Sequence, residues 1–309
     1  MKGAILLASH TSGKALSVLL GSLLVISLIL LFVCTFFFRQ LYSSMDIQAG
    51  ESPASDDFAP TLPGDGDVFN LLLLGNDSRS DDTDQRTDVM LLVSVNRQAE
   101  SITLVSFLRD IYLPIPGYTS HRLNTANVLG GPPLTIQTIE KSFGIDIHGY
   151  AAVNFSAFVS IVDTLGGVTL YLPADEAEII GCGASAGDYH LNGEQALSYC
   201  RIRQLDSDFG RTERQRKLLQ ALWSDLQNSS FSNAYSLMTE LLPQITTDLS
   251  AADCLSLLTT AARIGDYNLH SAQIPADGTW SDATVDGMAV LELDLAENAE
   301  YLHTLLYGE

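Results

Sequence analysis

Residues 15–38 run for 24 positions without a single charge (ALSVLLGSLLVISLILLFVCTFFF), and this run constrains the chain more than any other feature. As a helix rising about 1.5 Å per residue it would be about 36 Å long, enough to cross a hydrocarbon core of ~30 Å. It is too long for the apolar core of a cleaved signal peptide, and no small-x-small cleavage site follows it. A buried core helix would need partners upstream, where only 14 residues stand. The run is therefore read as one transmembrane helix. Lys2 and Lys14 precede it and Arg39 follows directly, so the positive-inside rule places residues 1–14 in the cytoplasm. Beyond Arg39 lie 13 of the 16 basic residues and all 37 acidic ones, a net charge of −24. This body is read as extracytoplasmic, held at the cell membrane by a single pass.

That charge also limits the partners. It repels nucleic-acid phosphates, and no basic block reverses it locally, so no nucleic acid is expected. Four scattered cysteines contain no C-x-x-C pair, which removes zinc-ribbon and thioredoxin-type chemistry. Residues 39–67 are acidic and rich in Ser, Asp, Pro and Gly, and read as a flexible, self-repelling stalk. Residues 68–309 show mixed periodicity without a break or repeat, a length that fits one α/β domain.

Within that domain, residues 68–74, 89–95 and 102–107 are short apolar runs rich in Val, Ile and Leu, patterned as strands covered on both faces. The polar connection of residues 96–100 favours an antiparallel hairpin. If the three strands run up, down and up, one sheet edge collects Asp77 and Arg79, Arg86 and Asp88, and Arg109 and Asp110. Ordinary surface ion pairs would explain such a set only if they lay in solvent, yet Asp88 and Arg109 abut continuous apolar runs.

A second cluster follows. Asn192 and Gln195 form a capping-box pattern that opens a helix toward Cys200. Arg201, Arg203, Asp208, Arg211 and Arg214 come next, and Thr212 with Gln215 predicts another cap opening an amphipathic helix to about Gln227. At 100° per residue Arg211, Gln215, Leu218 and Leu222 share a stripe that faces inward, whereas Arg216 and Lys217 fall off it and read as solvated. Eight of the 13 basic residues beyond the span (Arg79, Arg86, Arg109, Arg122, Arg201, Arg203, Arg211 and Arg214) lie in or near these segments. Arginine keeps its charge when dehydrated and grips phosphate with two prongs, so the pattern predicts a local anion site. Carboxylates within it point to a metal bridge, Mg²⁺ accepting one or two carboxylates plus phosphate oxygens.

Competing constellations are weak. The six histidines are dispersed, and there is no H-E-x-x-H, Walker A or G-x-G-x-x-G motif. Cys200 ends an apolar helix and reads as a buried small residue. Cys182 and Cys200 could pair outside the cytoplasm, which would leave Cys254 over.

In order, GNDSR, RTD, FLRD, HRLNTANVLGG, DIHGYAAVNFSAFVSIVDTLGGV, LNGEQALSYCRIR and DFGRTERQ resemble the motifs of the LytR–CpsA–Psr family of envelope proteins, over about residues 69–226. The resemblance implies an α/β/α layered domain with a central mixed sheet, preceded by one N-terminal transmembrane helix, and a long apolar groove for a polyprenyl chain. It implies a Mg²⁺-dependent phosphotransferase that moves a teichoic-acid- or capsule-like glycopolymer from undecaprenyl pyrophosphate to a peptidoglycan acceptor. Carried over by motif, Asp77 and Asp88 match the metal-binding acids, and Arg79, Arg86, Arg109, Arg201, Arg203 and Arg211 with Gln215 match the pyrophosphate clamp. Asp77, Asp88, Arg109 and Arg211 form the implied catalytic set. Arg122 stands where the family usually has Lys, also facing pyrophosphate, and Leu108 replaces the usual Pro. A polyprenyl-pyrophosphate hydrolase, or a regulatory protein binding lipid pyrophosphate without turnover, would use the same residues.

Two structural expectations remain. The helical runs 135–143 and 155–165 are expected to wall the lipid groove. The tail 228–309 is expected as helix (233–242, 251–264), strand (268–274), strand (288–293) and helix (295–306), completing the sheet without catalytic residues.

Overall fold

The three apolar runs form strands in the directions their connections require. The computed structural model describes residues 43, 46–47, 68–76, 87–227, 245–249 and 267–308. The strands are β1 Asp46–Ile47, β2 Val68–Asn76, β3 Thr87–Asn96, β4 Ser101–Phe107, β5 Tyr112–Leu113, β6 His121–Arg122, β7 Gly149–Asn154, β8 Val168–Leu172, β9 Gly187–Leu191, β10 Ile245–Thr247, β11 Asn268–Ile274, β12 Trp280–Val285 and β13 Met288–Leu293. The helices are α1 Asn124–Phe143, α2 Phe155–Thr164, α3 Ala174–Ile179, α4 Gly193–Cys200, α5 Asp208–Gln227 and α6 Leu295–Tyr307.

Seven strands make one mixed sheet in the order β1-β10-β7-β2-β3-β4-β11. β2, β3 and β4 pair antiparallel, while β7 adds to β2 and β11 to β4 in parallel. Side chains alternate across this sheet as a period of two demands. Leu72, Leu74, Met90 and Leu92 face a core closed by Ile139 and Phe143 of α1 and Leu302 and Leu306 of α6. Leu73, Val89, Leu91 and Val93 face the other way, onto Leu219 and Trp223 of α5. The result is three layers, α/β/α. A smaller core gathers β8, β9, α2 and α4 against α5, and Gly193 lets α4 approach α2 so closely that a Cβ there would overlap the Val159 carbonyl.

Several expectations change. The helix read as opening at Thr212 begins at Asp208; Thr212 lies inside it and its hydroxyl donates to the Phe209 carbonyl (2.9 Å). Residues 135–143 do not wall a groove: Thr135, Thr138, Ile139 and Phe143 are buried in the α1–α6 layer. Asp46–Ile47, within the segment read as stalk, pairs in parallel with Thr246–Thr247. In the tail, β11, β13 and α6 stand where expected, and β12, an antiparallel partner of β13, was not anticipated. The span 15–38 and the helices at 233–242 and 251–264 lie outside the described residues. Among the described residues no helix is long and apolar enough to cross a membrane.

Candidate functional site

The site forms where β2, β3 and β4 meet the start of α5, and Arg109 is its centre. The residue follows β4, whose last turn is fixed by backbone bonds: Leu108 N donates to the Ile274 carbonyl (2.9 Å) and Asn124 N to that of Arg109 (3.2 Å). From there Arg109 Nη1 donates to Asp88 Oδ1 (2.8 Å) and Nε to Asp208 Oδ2 (2.8 Å), with Asp110 Oδ2 at 3.3 Å. Arg203 Nη2 takes the other oxygen of Asp88 (2.9 Å), and Arg122 Nη1 donates to Asp110 Oδ1 (3.2 Å). Strand-end, loop and helix residues far apart in sequence are thus joined by one ion network.

Arg211, in the first turn of α5, is the least satisfied member. Its side chain is only 3% exposed and its Nη1 lies 3.0 Å from Asp208 Oδ1. That contact has ion-pair distance without hydrogen-bond geometry, and both Nε and Nη1 lack a hydrogen-bond acceptor. A buried guanidinium with idle donors is costly unless an anion completes it. Burial disfavours the Arg211 charge, and Asp208 partly restores it.

The same arginine lies at an apolar cavity of about 270 Å³. Leu73, Gly75, Val89 and Leu91 form its sheet side, and Phe155, Phe158 and Ile161 of α2 form another wall. Arg211, Gln215, Leu218 and Leu222, the stripe expected on α5, form a third. Arg201 and Arg203 line the cavity too, Arg201 lying 4.6 Å over the Phe155 ring. Of the expected groove residues on α2, Val162 instead belongs to the smaller core.

Burial pushes the Asp88 carboxyl up, but hydrogen bonding and charge from Arg109, with Arg211 and Arg203, hold it below the usual carboxylate range. Asp110 behaves oppositely. Burial and the neighbouring Asp208 carboxylate raise it, against the pull of Arg109 and Arg122. Arg109, buried between carboxylates, holds its proton more firmly than a free arginine. Cys200 is no nucleophile, because burial pushes its thiol up to about 12. Cys182 and Cys200 are both free thiols, so they form no bridge.

Of the residues singled out from sequence, Asp88, Arg109, Arg122 and Arg203 share the ion network, with Arg211 beside Asp208 at its margin. Arg201 and Gln215 line the adjoining cavity, and Asp77, Arg79 and Arg86 lie outside the described residues. Sequence patterning undervalued Asp208, which joins Arg109 to Arg211; the DFGR motif holds it, but only the fold shows its partners. Arg214 is not part of the clamp. It is 3% exposed and holds Asp206, Glu176 and the Ile202 carbonyl, which ties down the loop carrying Arg203 and Asp208. Arg216, read as solvated, is in fact buried, whereas Lys217 is exposed and paired with Glu213. Among the described residues no three of His, Cys, Asp or Glu are placed to hold a metal.

Comparison with known proteins agrees with this geometry. The chain is 34% identical over 263 residues to a polyisoprenyl-teichoic acid–peptidoglycan teichoic acid transferase, TagU of Oceanobacillus iheyensis, covering 79% of this chain and 80% of that protein. It is 35% identical over 174 residues to the regulatory protein MsrR of Staphylococcus aureus, covering 55% of this chain and 53% of MsrR. Among solved structures, TagT bound to LI-WTA superposes with a TM-score of 0.66 at 27% identity, over 84% of this chain and 98% of that one. The LytR-CPS2A-psr family protein YwtF (TagT) with bound octaprenyl pyrophosphate lipid gives 0.61 at 26% identity, over the same shares. A profile of the LytR_cpsA_psr family matches residues 37–305, and the chain belongs to that family.

Proposed function

We propose that this protein is a phosphotransferase that moves a glycopolymer from a polyprenyl pyrophosphate carrier to a sugar hydroxyl of peptidoglycan. The observation that carries this reading is the buried, incompletely bonded Arg211 in the wall of an apolar cavity. An apolar chamber with guanidinium donors at one end matches the two halves of a lipid pyrophosphate. The names of TagU and the lipid-bound TagT, a transferase and a polyprenyl pyrophosphate complex, support the same class of substrate.

The chemistry asks the protein mainly to position and to neutralise. Arg211, Arg203 and Arg201 bind the pyrophosphate oxygens, with Arg79 and Arg86 as further clamp members. The acceptor hydroxyl oxygen bonds to the phosphorus that carries the glycan. The bond from that phosphorus to the bridging oxygen breaks, and polyprenyl phosphate leaves with the bridging oxygen and its electron pair. The hydroxyl proton passes to the Asp110 carboxylate, whose raised affinity suits it to the task.

A hard divalent cation completes this reading. Asp88 is a carboxylate kept ionised by its arginine neighbours, which donate to its two oxygens at 2.8 and 2.9 Å, and Mg²⁺ needs only one or two carboxylates beside phosphate oxygens and water. Asp77 and Asp88 are the residues that would hold it, and the ion would supply further neutralisation of the pyrophosphate charge. In this reading the enzyme sits in the cell membrane with its N-terminus in the cytoplasm and its catalytic domain outside.

The test uses the full chain with a glycan-bearing polyprenyl pyrophosphate, with and without a peptidoglycan oligomer. Release of polyprenyl phosphate that depends on the oligomer supports transfer. Equal release without it would make the protein a hydrolase, and binding without release a regulator.

A further inference from the structure

A second cavity, of about 450 Å³, opens on the same ion network. Asp110 and Asp208 line it, whereas Asp88 lines the apolar cavity. Arg109 donates to Asp88 and to Asp208 at 2.8 Å each, so one guanidinium stands between the two chambers. We propose that this second cavity, lined also by Phe209, Gln273, Trp280 and Asp282, is where the acceptor sugar chain binds. The proposal rests on the transferase reading above and adds to it the place and chemistry of the second substrate.

Position is the first argument. In-line phosphoryl transfer needs the acceptor to reach phosphorus from a side the leaving group does not occupy. If the lipid fills the apolar cavity, the chamber across Arg109 offers such an approach. The lining is the second argument. It contains four aspartates and no Lys or Arg, so it repels phosphate and other anions. Carboxylates and a glutamine amide instead accept and donate hydrogen bonds to neutral hydroxyls. Phe209 and Trp280, stacked with centroids 4.8 Å apart, supply the apolar surface that sugar C–H faces need. The volume falls in the ~300–1,000 Å³ range of small-molecule sites.

The third argument concerns a neighbouring chamber of about 550 Å³, which shares Gln273 and Asp277 with the second cavity. Arg216 lines it and is 8% exposed. Its Nη2 makes only a long contact to Gln273 Oε1 (3.4 Å), and its Nε and Nη1 have no hydrogen-bond partner. Glu213, in the same chamber, supports its charge by proximity alone, so those two donors stay open to a hydrogen-bond acceptor. The acceptor is thus a sugar chain with its rings beside Trp280 and an acceptor oxygen of its substituent at Arg216.

The two tryptophans of the chain make this directly measurable without a lipid donor. In the full chain carrying Trp223→Phe, Trp280 is the sole tryptophan reporter. Titration with a soluble peptidoglycan disaccharide-peptide is expected to change its emission saturably, and a neutral N-acetylglucosamine disaccharide to bind at least tenfold more weakly. Gln273→Ala and the exposed Asp282→Ala are each expected to weaken the disaccharide-peptide about fivefold, the factor for one lost hydrogen bond. Arg216→Gln is expected to erase the preference for the substituted ligand, and Lys217→Ala to change nothing. No saturable change, equal affinity in all variants, or the same emission change with Mg²⁺ alone would overturn the proposal. Because no donor is present, this outcome is independent of whether release of polyprenyl phosphate needs an acceptor.

Discussion

Arg211 and Lys217 sit six residues apart on one helix and have opposite fates, which makes them a natural pair for experiment. Arg211 is buried with idle donors, while Lys217 is exposed beside Glu213. Arg211→Lys keeps one charge but loses the planar fork. It is expected to weaken lipid pyrophosphate binding by about 1.5–3 kcal/mol, roughly 10- to 150-fold, whereas Lys217→Ala changes affinity by less than about threefold. Equal, small effects measured by equilibrium binding would remove Arg211 from the clamp. Asp110 supplies a pH test. Its carboxyl is raised by burial and by Asp208, and a base must be deprotonated to act. Activity is therefore expected to fall as pH drops through a value above the ordinary Asp range of about 3.9. Asp110→Asn should abolish that acid limb together with most of kcat. An unchanged limb in this variant assigns the base elsewhere. At this scale the sequence was informative about which arginines mattered, because Arg is scarce in an acidic chain. It misjudged Arg216, since a helical wheel drawn against one face cannot see the second layer, where β11 and Tyr301 of α6 approach.

The element that organises the site is the loop between α4 and α5, which owes its shape to Arg214. That guanidinium holds both oxygens of Asp206 (2.7 and 2.8 Å) and the Ile202 carbonyl (2.9 Å), so Arg203 and Asp208 are presented from a fixed turn. Gly210, in the first turn of α5, has room only for a hydrogen, because a Cβ there would overlap the Asp206 carboxylate. In an open helix Gly→Ala gains about 0.5–1 kcal/mol. Here it would displace Asp206 from buried Arg214, and a charge-assisted hydrogen bond contributes about 1.5–3 kcal/mol. The loss wins, and Gly210→Ala is expected to destabilise by about 1–2 kcal/mol in denaturant unfolding. In the Asp206→Ala background the overlap is gone, so Gly210→Ala should instead stabilise by the helix gain of about 0.5–1 kcal/mol, whereas full additivity would mean that the two residues do not meet. The capping box at Asn192 and Gln195 was legible and forms as read. The start of α5 was not, because Thr212 and Gln215 imitate a cap four residues inside the helix. Nor could periodicity decide which apolar helix would line a cavity: α1 and α2 look alike in sequence, and only the sheet order puts α2 beside Arg211.

For the whole molecule, length and strands covered on both faces were enough to predict an α/β domain, and the family resemblance carried by the ordered motifs implied its three layers. The division into two chambers was not legible. It depends on where β11 and the β12–β13 hairpin close against Phe209, contacts between segments about 70 residues apart. One property of the entire chain remains to be tested, the separation of anchorage from chemistry. The body beyond Arg39 carries −24 and is repelled by anionic bilayers, although its proposed donor is embedded in one. A span at residues 15–38, as the uncharged run predicts, would overcome that repulsion by raising the local concentration toward the millimolar range of a short tether. Deleting residues 1–38, which leaves β1 and the sheet intact, is therefore expected to leave turnover of detergent-dispersed donor within about twofold. On donor in anionic vesicles the same deletion should cost at least tenfold at low ionic strength. Added salt should restore part of the loss, since the Debye length shrinks from about 30 Å at 0.01 M to about 8 Å at 0.15 M. A deletion that works equally well on vesicles at every salt concentration would show that the body finds the bilayer through its own surface.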